Sequence, residues 1–394
     1  MYFPRLIQKH LENQINSKEI VVLTGMRRTG KTTLMRYLYE QINTKNKVYL
    51  DLDNIIEQKI FEEQDFNNIW FNLKPFGIKS SEKSFIFIDE IQAMPSAVKA
   101  VKYLYDHYNV KFFITGSSSF YIKNVFPESL AGRKVIFELF PLTFREFLIF
   151  KNSDYKAPLS FRQMADQKNF IAYEKLKKYF DEYLHFGGFP QIVLEEDEEQ
   201  KKLQIKDIFQ SYFEKDVQKL ADFRNLNIFR DMILLLMQRA GSKLDITKLA
   251  SELRISRDTV YSYLNFLEAT YFISLISPFS RNVDREVSGT KKVYVCDTGI
   301  LNNFARVSDG VLIENAVYNL LRIYGQVKYY QKRGGSEIDF ILFPEKIAFE
   351  VKMNGNENDI KKLKRLADNL DIKEHYVVSY RYLNNPEVIL AQDL

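Results

Sequence analysis

Gly25-Met26-Arg27-Arg28-Thr29-Gly30-Lys31-Thr32-Thr33 follows the apolar run Ile20-Val21-Val22-Leu23 and precedes Leu34-Met35-Arg36-Tyr37-Leu38. Strand, glycine turn and helix are written there in succession, and the turn fits GxxxxGK[ST]. A nucleotide's phosphates carry several charges that backbone N–H groups must cradle. Gly25 and Gly30 allow the tight turn and the close backbone approach, with Arg28 and Thr29 between them. Lys31 is expected to reach the β- and γ-phosphates and the Thr32 hydroxyl to bind Mg²⁺, with Arg28, Thr29 and Thr33 as further nucleotide-binding residues. This stretch therefore predicts a nucleoside triphosphate site, with ATP and Mg²⁺ as ligands.

A second strand supplies what hydrolysis needs. Ser84-Phe85-Ile86-Phe87-Ile88 is apolar enough to be buried on both faces and ends in Asp89-Glu90. Asp89 is placed to hold the magnesium shell and Glu90 to polarise the attacking water. Val110-Lys111-Phe112-Phe113-Ile114 ends in Thr115-Gly116-Ser117-Ser118, where Thr115 or Ser117 suits either γ-phosphate sensing or turn capping. Arg133, in Leu130-Ala131-Gly132-Arg133, suits an arginine finger or an ordinary surface position.

Composition sets the outer limits. A chain of 394 residues exceeds one compact core and suggests two or three domains. With 46% hydrophobic and 14% aromatic residues, the chain can fill those cores and is not of the disordered class. A formal charge of +5 permits nucleic-acid binding without arguing for it. One cysteine excludes internal disulfides, and four scattered histidines make a structural zinc site implausible. No apolar run approaches membrane-spanning length, and Met1-Tyr2-Phe3-Pro4-Arg5 lacks a signal-peptide layout, so a cytoplasmic protein without a membrane partner is expected.

Along the chain, residues 4–16 read as a short amphipathic helix. Strands over 20–24, 47–53, 84–89, 110–116 and 135–140 alternate with helical stretches, as in a parallel sheet covered by helices. Thr143 with Glu146 predicts a capping box. Residues 160–240 read as helical, broken at Gly187-Gly188-Phe189-Pro190, with the acidic run 195–199 as a solvated helix start or loop. Strands return over 291–296, 326–331, 337–343, 347–353 and 375–380, with helices near 310–323 and 358–369. Linkers are placed near 152–160 and 276–290.

The P-loop, Ile88-Asp89-Glu90-Ile91-Gln92, Thr115-Gly116-Ser117-Ser118, Leu130-Ala131-Gly132-Arg133, Pro141-Leu142-Thr143-Phe144 and Gly187-Gly188-Phe189-Pro190 together resemble the archaeal-type AAA+ ATPases. Many of these carry a C-terminal domain similar to PD-(D/E)xK nucleases. The resemblance spans essentially the whole chain. It implies an α/β protein with a five-stranded P-loop AAA+ parallel sheet, a helical lid, a winged helix-turn-helix and a C-terminal restriction-endonuclease-like domain. On that basis 1–155 is the ATPase core, 156–225 the lid, 226–280 the winged helix and 281–394 the nuclease-like domain. A homo-oligomer is a possible assembly, because an arginine finger can serve a neighbouring chain.

The helix-turn-helix is also legible from residues alone. Asp245 caps a helix with Ile246, Leu249, Ala250 and Leu253 at helical spacing. Ser256 caps a second helix with Val260, Leu264 and Leu267 buried, leaving Arg257, Thr259 and Ser262 outward as DNA-binding candidates. A winged helix used for packing or protein contact fits equally well, and Asp258 on the exposed face weakens the DNA reading.

A C-terminal hairpin carries the second chemical expectation. Glu337–Phe343 and Lys346–Lys352 flank a turn at Pro344-Glu345. A two-residue turn pairs 343 with 346 and hence 339 with 350, so Asp339 and Glu350 become neighbours on one face with Lys352 two residues on. Two carboxylates that hold Mg²⁺ and a lysine that positions water suit phosphodiester hydrolysis; a wet amphipathic face with a paired lysine is the plainer alternative. Glu314 matches the place where PD-(D/E)xK nucleases often supply a further acid. Lys361, Lys362, Lys364 and Arg365 are candidates for phosphate contact. From 281 onward there are 17 basic and 16 acidic residues, which restrains a DNA-cleaving reading. Cys296 reads as a buried hydrophobe, Asp297 as a cap and His185 as a packed histidine. Two functions stay open: an ATP-driven machine that cuts DNA, and an ATP-dependent switch or platform whose C-terminal domain only binds DNA or protein.

Overall fold

The computed structural model describes residues 2–116, 130, 132–155, 158, 160–217, 225–332 and 335–394. The chain divides into two compact units, Met1–Phe140 with Ala269–Tyr271, and Pro141–Glu268 with Phe272–Leu394. Ser117 and Ala131, both within motifs singled out above, lie outside the described residues.

The first unit is built on five parallel strands: β1 (Ile20–Thr24), β2 (Lys47–Asp51), β3 (Ser84–Asp89), β4 (Val110–Gly116) and β5 (Lys134–Glu138), in the order β2-β3-β4-β1-β5. The central strands β1, β3 and β4 are buried along their whole length, which is why their sequences are continuous apolar runs instead of alternations. One face packs Val22, Ile86, Ile88 and Ile114 under the helix Ala97–His107, through Val98, Val101 and Leu104. The other packs Val21, Leu23, Phe87 and Phe113 under Leu34, Met35 and Leu38 of the helix Lys31–Gln41. The N-terminal helix is shorter than expected, covering Gln8–Glu12.

In the second unit the Thr143 capping box forms as expected, and Asp197 caps the helix Glu198–Tyr212 at the acidic run. The Gly187-Gly188 break is a close junction. Gly187 has φ +79°, and a Cβ there would come within 2.0 Å of Asp297 Oδ1, so only glycine fits. The helices Ile246–Leu253 and Arg257–Ala269 are followed by the antiparallel pair β6 (Ile273–Ile276) and β7 (Lys292–Val295). The expected linker at 276–290 contains the helix Val283–Ser288.

Five further strands, β8 (Gln326–Gln331), β9 (Glu337–Phe343), β10 (Ile347–Lys352), β11 (Glu374–Ser379) and β12 (Val388–Leu390), form a mixed sheet in sequence order. The first three are antiparallel; β10, β11 and β12 are parallel. Ile338, Ala348 and Val377 pack on Ile360 and Leu363 of the helix Glu357–Asp368. Phe340 packs against Tyr318 of the helix Asp309–Leu321.

Candidate functional site

The P-loop runs from the end of β1 to the helix Lys31–Gln41. Gly25 has φ +148°, and a Cβ on it would lie 2.1 Å from Leu139 O, so the loop is pressed against the end of β5. Gly30, at φ +96°, starts the helix with no side chain capping it, the form of an anion-binding helix start. Lys31 is 5% exposed and donates from Nζ to Gly25 O (3.0 Å) and Met26 O (2.8 Å). Thr29 is buried, its hydroxyl on Met26 O at 2.9 Å. Arg28 takes φ +63°; Thr32 is half-buried and Thr33 exposed. Arg5 binds the loop from outside, with its guanidinium on Thr29 O (2.7 Å) and Phe140 O (2.8 Å).

Asp89 ends β3 beside β4. Its two oxygens accept from Thr115 Oγ1 and from Tyr49 OH, the latter at 2.8 Å. Burial, and after it the Asp89 charge, pushes the Tyr49 phenol well above its usual range, so it stays a donor. Thr115 Oγ1 also accepts from Glu90 N at 3.1 Å, so one hydroxyl fixes both acids. Glu90 turns at φ +54° and takes a hydrogen bond from Gln92 Nε2. Asp51 is in register with Asp89 on β2; burial, and then neighbours including Asp89, raises its pKa.

Arg133 lies elsewhere. It precedes β5 at the end of the sheet opposite the P-loop, with Arg133 O accepting from Ile20 N. Its guanidinium forks onto Asp106, Nε to Oδ1 at 2.8 Å and Nη2 to Oδ2 at 3.3 Å. The structure does not bring it to the P-loop of its own chain.

In the second unit the hairpin register is the one expected. Pairing runs Leu342↔Ile347, Ala348↔Ile341 and Phe349↔Phe340, and the next step along the ladder sets Asp339 opposite Glu350. Asp339 and Glu350 are 8% and 6% exposed. Asp339 Oδ2 accepts from Val351 N (2.8 Å), and Lys352 Nζ lies 2.7 Å from Glu350 Oε1. Glu350 Oε2 is buried with no hydrogen-bond partner among the described residues. Burial and then the Asp339 charge push the Glu350 carboxyl up to about 7. Glu314 is likewise pushed up to about 7, by burial and then Asp339, so all three acids share one electrostatic site. Burial raises Asp339 as well.

Several members of this cluster were not read from sequence. Tyr294 OH donates to Glu314 Oε1 at 2.7 Å, and Lys292 Nζ reaches Glu337 Oε1 (2.5 Å) and Glu314 Oε1 (3.6 Å). Burial alone would lower the Lys292 pKa, but Glu314, Asp339 and Glu337 outweigh it and hold the amine above its ordinary value. Only the Lys291-Lys292 pair heading an apolar strand hinted at it. Among the described residues no group of three or more His, Cys, Asp or Glu is arranged to hold a metal.

Arg257 and Ser262 are exposed, whereas Thr259 is partly covered and bonded to Ser256 Oγ at 2.8 Å. Lys361, Lys362, Lys364 and Arg365 are all exposed on one helix, with Lys361 3.7 Å from Glu357. Cys296 is buried, and Asp297 caps the helix Thr298–Phe304 through Ile300 N at 3.1 Å while accepting from Gly188 N at 2.7 Å. His185, expected to pack, is instead exposed with a ring nitrogen 2.7 Å from Asp181 O, because the helix face it occupies turns outward there. No helix among the described residues is long and apolar enough to cross a membrane.

Residues 17–148 match the AAA domain model, residues 177–310 a domain of unknown function (DUF8612), and residues 309–388 another (DUF4143). The uncharacterized protein MJ1544 of Methanocaldococcus jannaschii is 30% identical over 93% of this chain and 83% of its own length. An uncharacterized protein of Haemophilus influenzae is 27% identical over 97% of this chain and 94% of its own. Among solved structures, the Aeropyrum pernix ORC1 protein in complex with DNA shows a slight likeness, with TM-score 0.32 and 12% identity over 80% of this chain and 92% of that one. With an AAA domain around its P-loop and that extent of identity to the archaeal relative, the chain belongs to the family of MJ1544 and is a P-loop AAA+ ATPase.

Proposed function

We propose that this chain is a magnesium-dependent ATPase that acts on DNA and carries a metal-dependent nuclease centre in its C-terminal sheet. The ATPase half rests on the P-loop and its two acids. Lys31 leaves the carbonyls of Gly25 and Met26 for the β- and γ-phosphates, while the N–H groups from Gly25 to Thr33 line the phosphates. Thr32 and Asp89 would hold Mg²⁺, which when bound neutralises phosphate charge. Glu90 polarises the attacking water, and Thr115 keeps Glu90 and Asp89 in mutual position. Arg133 would act only in a neighbouring chain's site.

The observation that carries the nuclease half is the buried, unpartnered Glu350 Oε2 beside Asp339 and Lys352. A buried carboxylate oxygen without a donor is costly, and a cation there would repay it. Asp339 and Glu350 would hold the ion, whose chemistry is Lewis acidity toward a phosphodiester. Lys352 positions water, and Glu314 supplies a further negative charge. Two carboxylates suffice for magnesium, which keeps several waters. A winged-helix reading of 246–295 is supported by the helix pair followed by the β6–β7 hairpin, with Arg257, Thr259 and Ser262 toward DNA. Lys361, Lys362, Lys364 and Arg365 would contact phosphates.

The platform reading draws on Lys292 and Lys352, which already neutralise part of the acidic cluster. DNA cleavage with Mg²⁺ or Mn²⁺ decides between them. The expected result is cutting that stops in Asp339→Ala and in Glu350→Ala. Cutting that survives both places the activity elsewhere, and DNA binding without cutting leaves the platform.

A further inference from the structure

Lys292 is an unusual occupant of an acidic site. It opens β7, where the ladder pairs it with Ile276 and an isolated bridge joins it to Lys243, so its backbone is pinned. Its side chain is 4% exposed and runs over the ring of Tyr329, with Nζ 5.4 Å from the ring centroid. The ammonium ends between Glu337 and Glu314. An amine buried this far stays charged only because carboxylates surround it.

Ammonium and carboxyl groups alternate around it. Glu314, Glu337, Asp339 and Glu350 supply the carboxyl groups of the cluster, and Lys292 and Lys352 its two ammonium groups. The partners also divide in space. Lys352 takes one oxygen of Glu350 and leaves the other buried without a hydrogen-bond partner among the described residues. Lys292 takes Glu337 and Glu314.

We propose that the Lys292 ammonium is the resident cation of this cluster: it competes with divalent metal for Glu314 and Glu337 and so weakens metal binding at the centre. This inference rests on reading Asp339 and Glu350 as a metal centre. Mn²⁺ is titrated into the full chain without nucleotide, free ion is read by electron paramagnetic resonance, and Asp339→Ala serves as the blank. Wild type is expected to take Mn²⁺ above the blank. Lys292→Gln should bind it about tenfold more tightly or better, since a positive charge has left the site. Lys292→Arg keeps the charge and should behave as wild type. Lys292→Met, whose apolar stem still packs on Tyr329, reads the same loss of charge should the glutamine variant not fold.

Equal affinity in wild type and both charge-removed variants would overturn the role of Lys292 and leave the metal centre standing. Binding only after Lys292 is neutralised would support the resident cation and remove the nuclease reading of the native chain. No binding in any variant overturns both.

Discussion

Thr115→Val tests whether the site works as a hydrogen-bonded unit. The hydroxyl is fully buried, donates to Asp89 and accepts from Glu90 N, so a single near-isosteric change breaks two bonds. Asp89 loses a hydrogen bond to a charged acceptor, about 1.5–3 kcal/mol, though Tyr49 still holds its other oxygen. The Glu90 N–H is left without its partner at a cost of about 1–3 kcal/mol. Part of this total appears as lost stability and part as misplacement of the two acids during turnover. If about 1.4–2.8 kcal/mol falls on the chemical step, kcat drops about 10- to 100-fold. Nucleotide affinity should stay within about threefold, because Lys31 and the loop N–H groups are untouched. The assay is steady-state ATP turnover with nucleotide binding measured separately, and Thr115→Ser should restore most of the rate. Turnover within about twofold of wild type in Thr115→Val would refute the coupling of Asp89 to Glu90 through this hydroxyl.

Lys31→Ala should abolish or severely weaken nucleotide binding, whereas Glu90→Gln should keep binding and lose turnover; an unchanged rate in Glu90→Gln removes its role. At about pH 4, Asp297→Ala should destabilise the second unit by about 2–4 kcal/mol, combining a lost cap with an orphaned Gly188 N–H, as read by denaturant unfolding. Burial raises the Asp297 pKa from 3.8 to about 6, so the folded chain keeps a proton that the unfolded chain releases. Its contribution is therefore full below about pH 4 and lost as pH rises toward 6, and Asp297→Ala should flatten stability across that window. Arg133→Ala should leave turnover unchanged in dilute single chains, since Arg133 is forked onto Asp106 away from the P-loop; a loss of rate under those conditions would contradict the placement.

The residues that could be read from sequence act through their chain neighbours. The P-loop is nine successive residues between a strand and a helix, and its geometry follows from Gly25, Gly30 and the helix start. Asp339 opposite Glu350 was also legible, because a hairpin register is fixed within about a dozen residues. The turn itself spans Pro344–Lys346 and pairing begins at Leu342↔Ile347, yet the register is the same.

What tertiary structure decided depends on segments distant in sequence. Tyr49 meets Asp89 only because β2 lies beside β3 in the sheet, and Arg5 reaches Thr29 from a separate N-terminal segment. Asp297 joins Gly188 across 109 residues, and Lys292 enters the acids of Glu314 and Glu337 from the β6–β7 hairpin. Arg133 carries the pattern of a finger, but the parallel register of β1 with β5 puts it at the opposite end of the sheet from the P-loop. Local spacing determines which atoms a turn, a helix start or a hairpin can present. Which charge meets which is set by packing between elements, where burial strengthens every interaction and no local pattern records the partner.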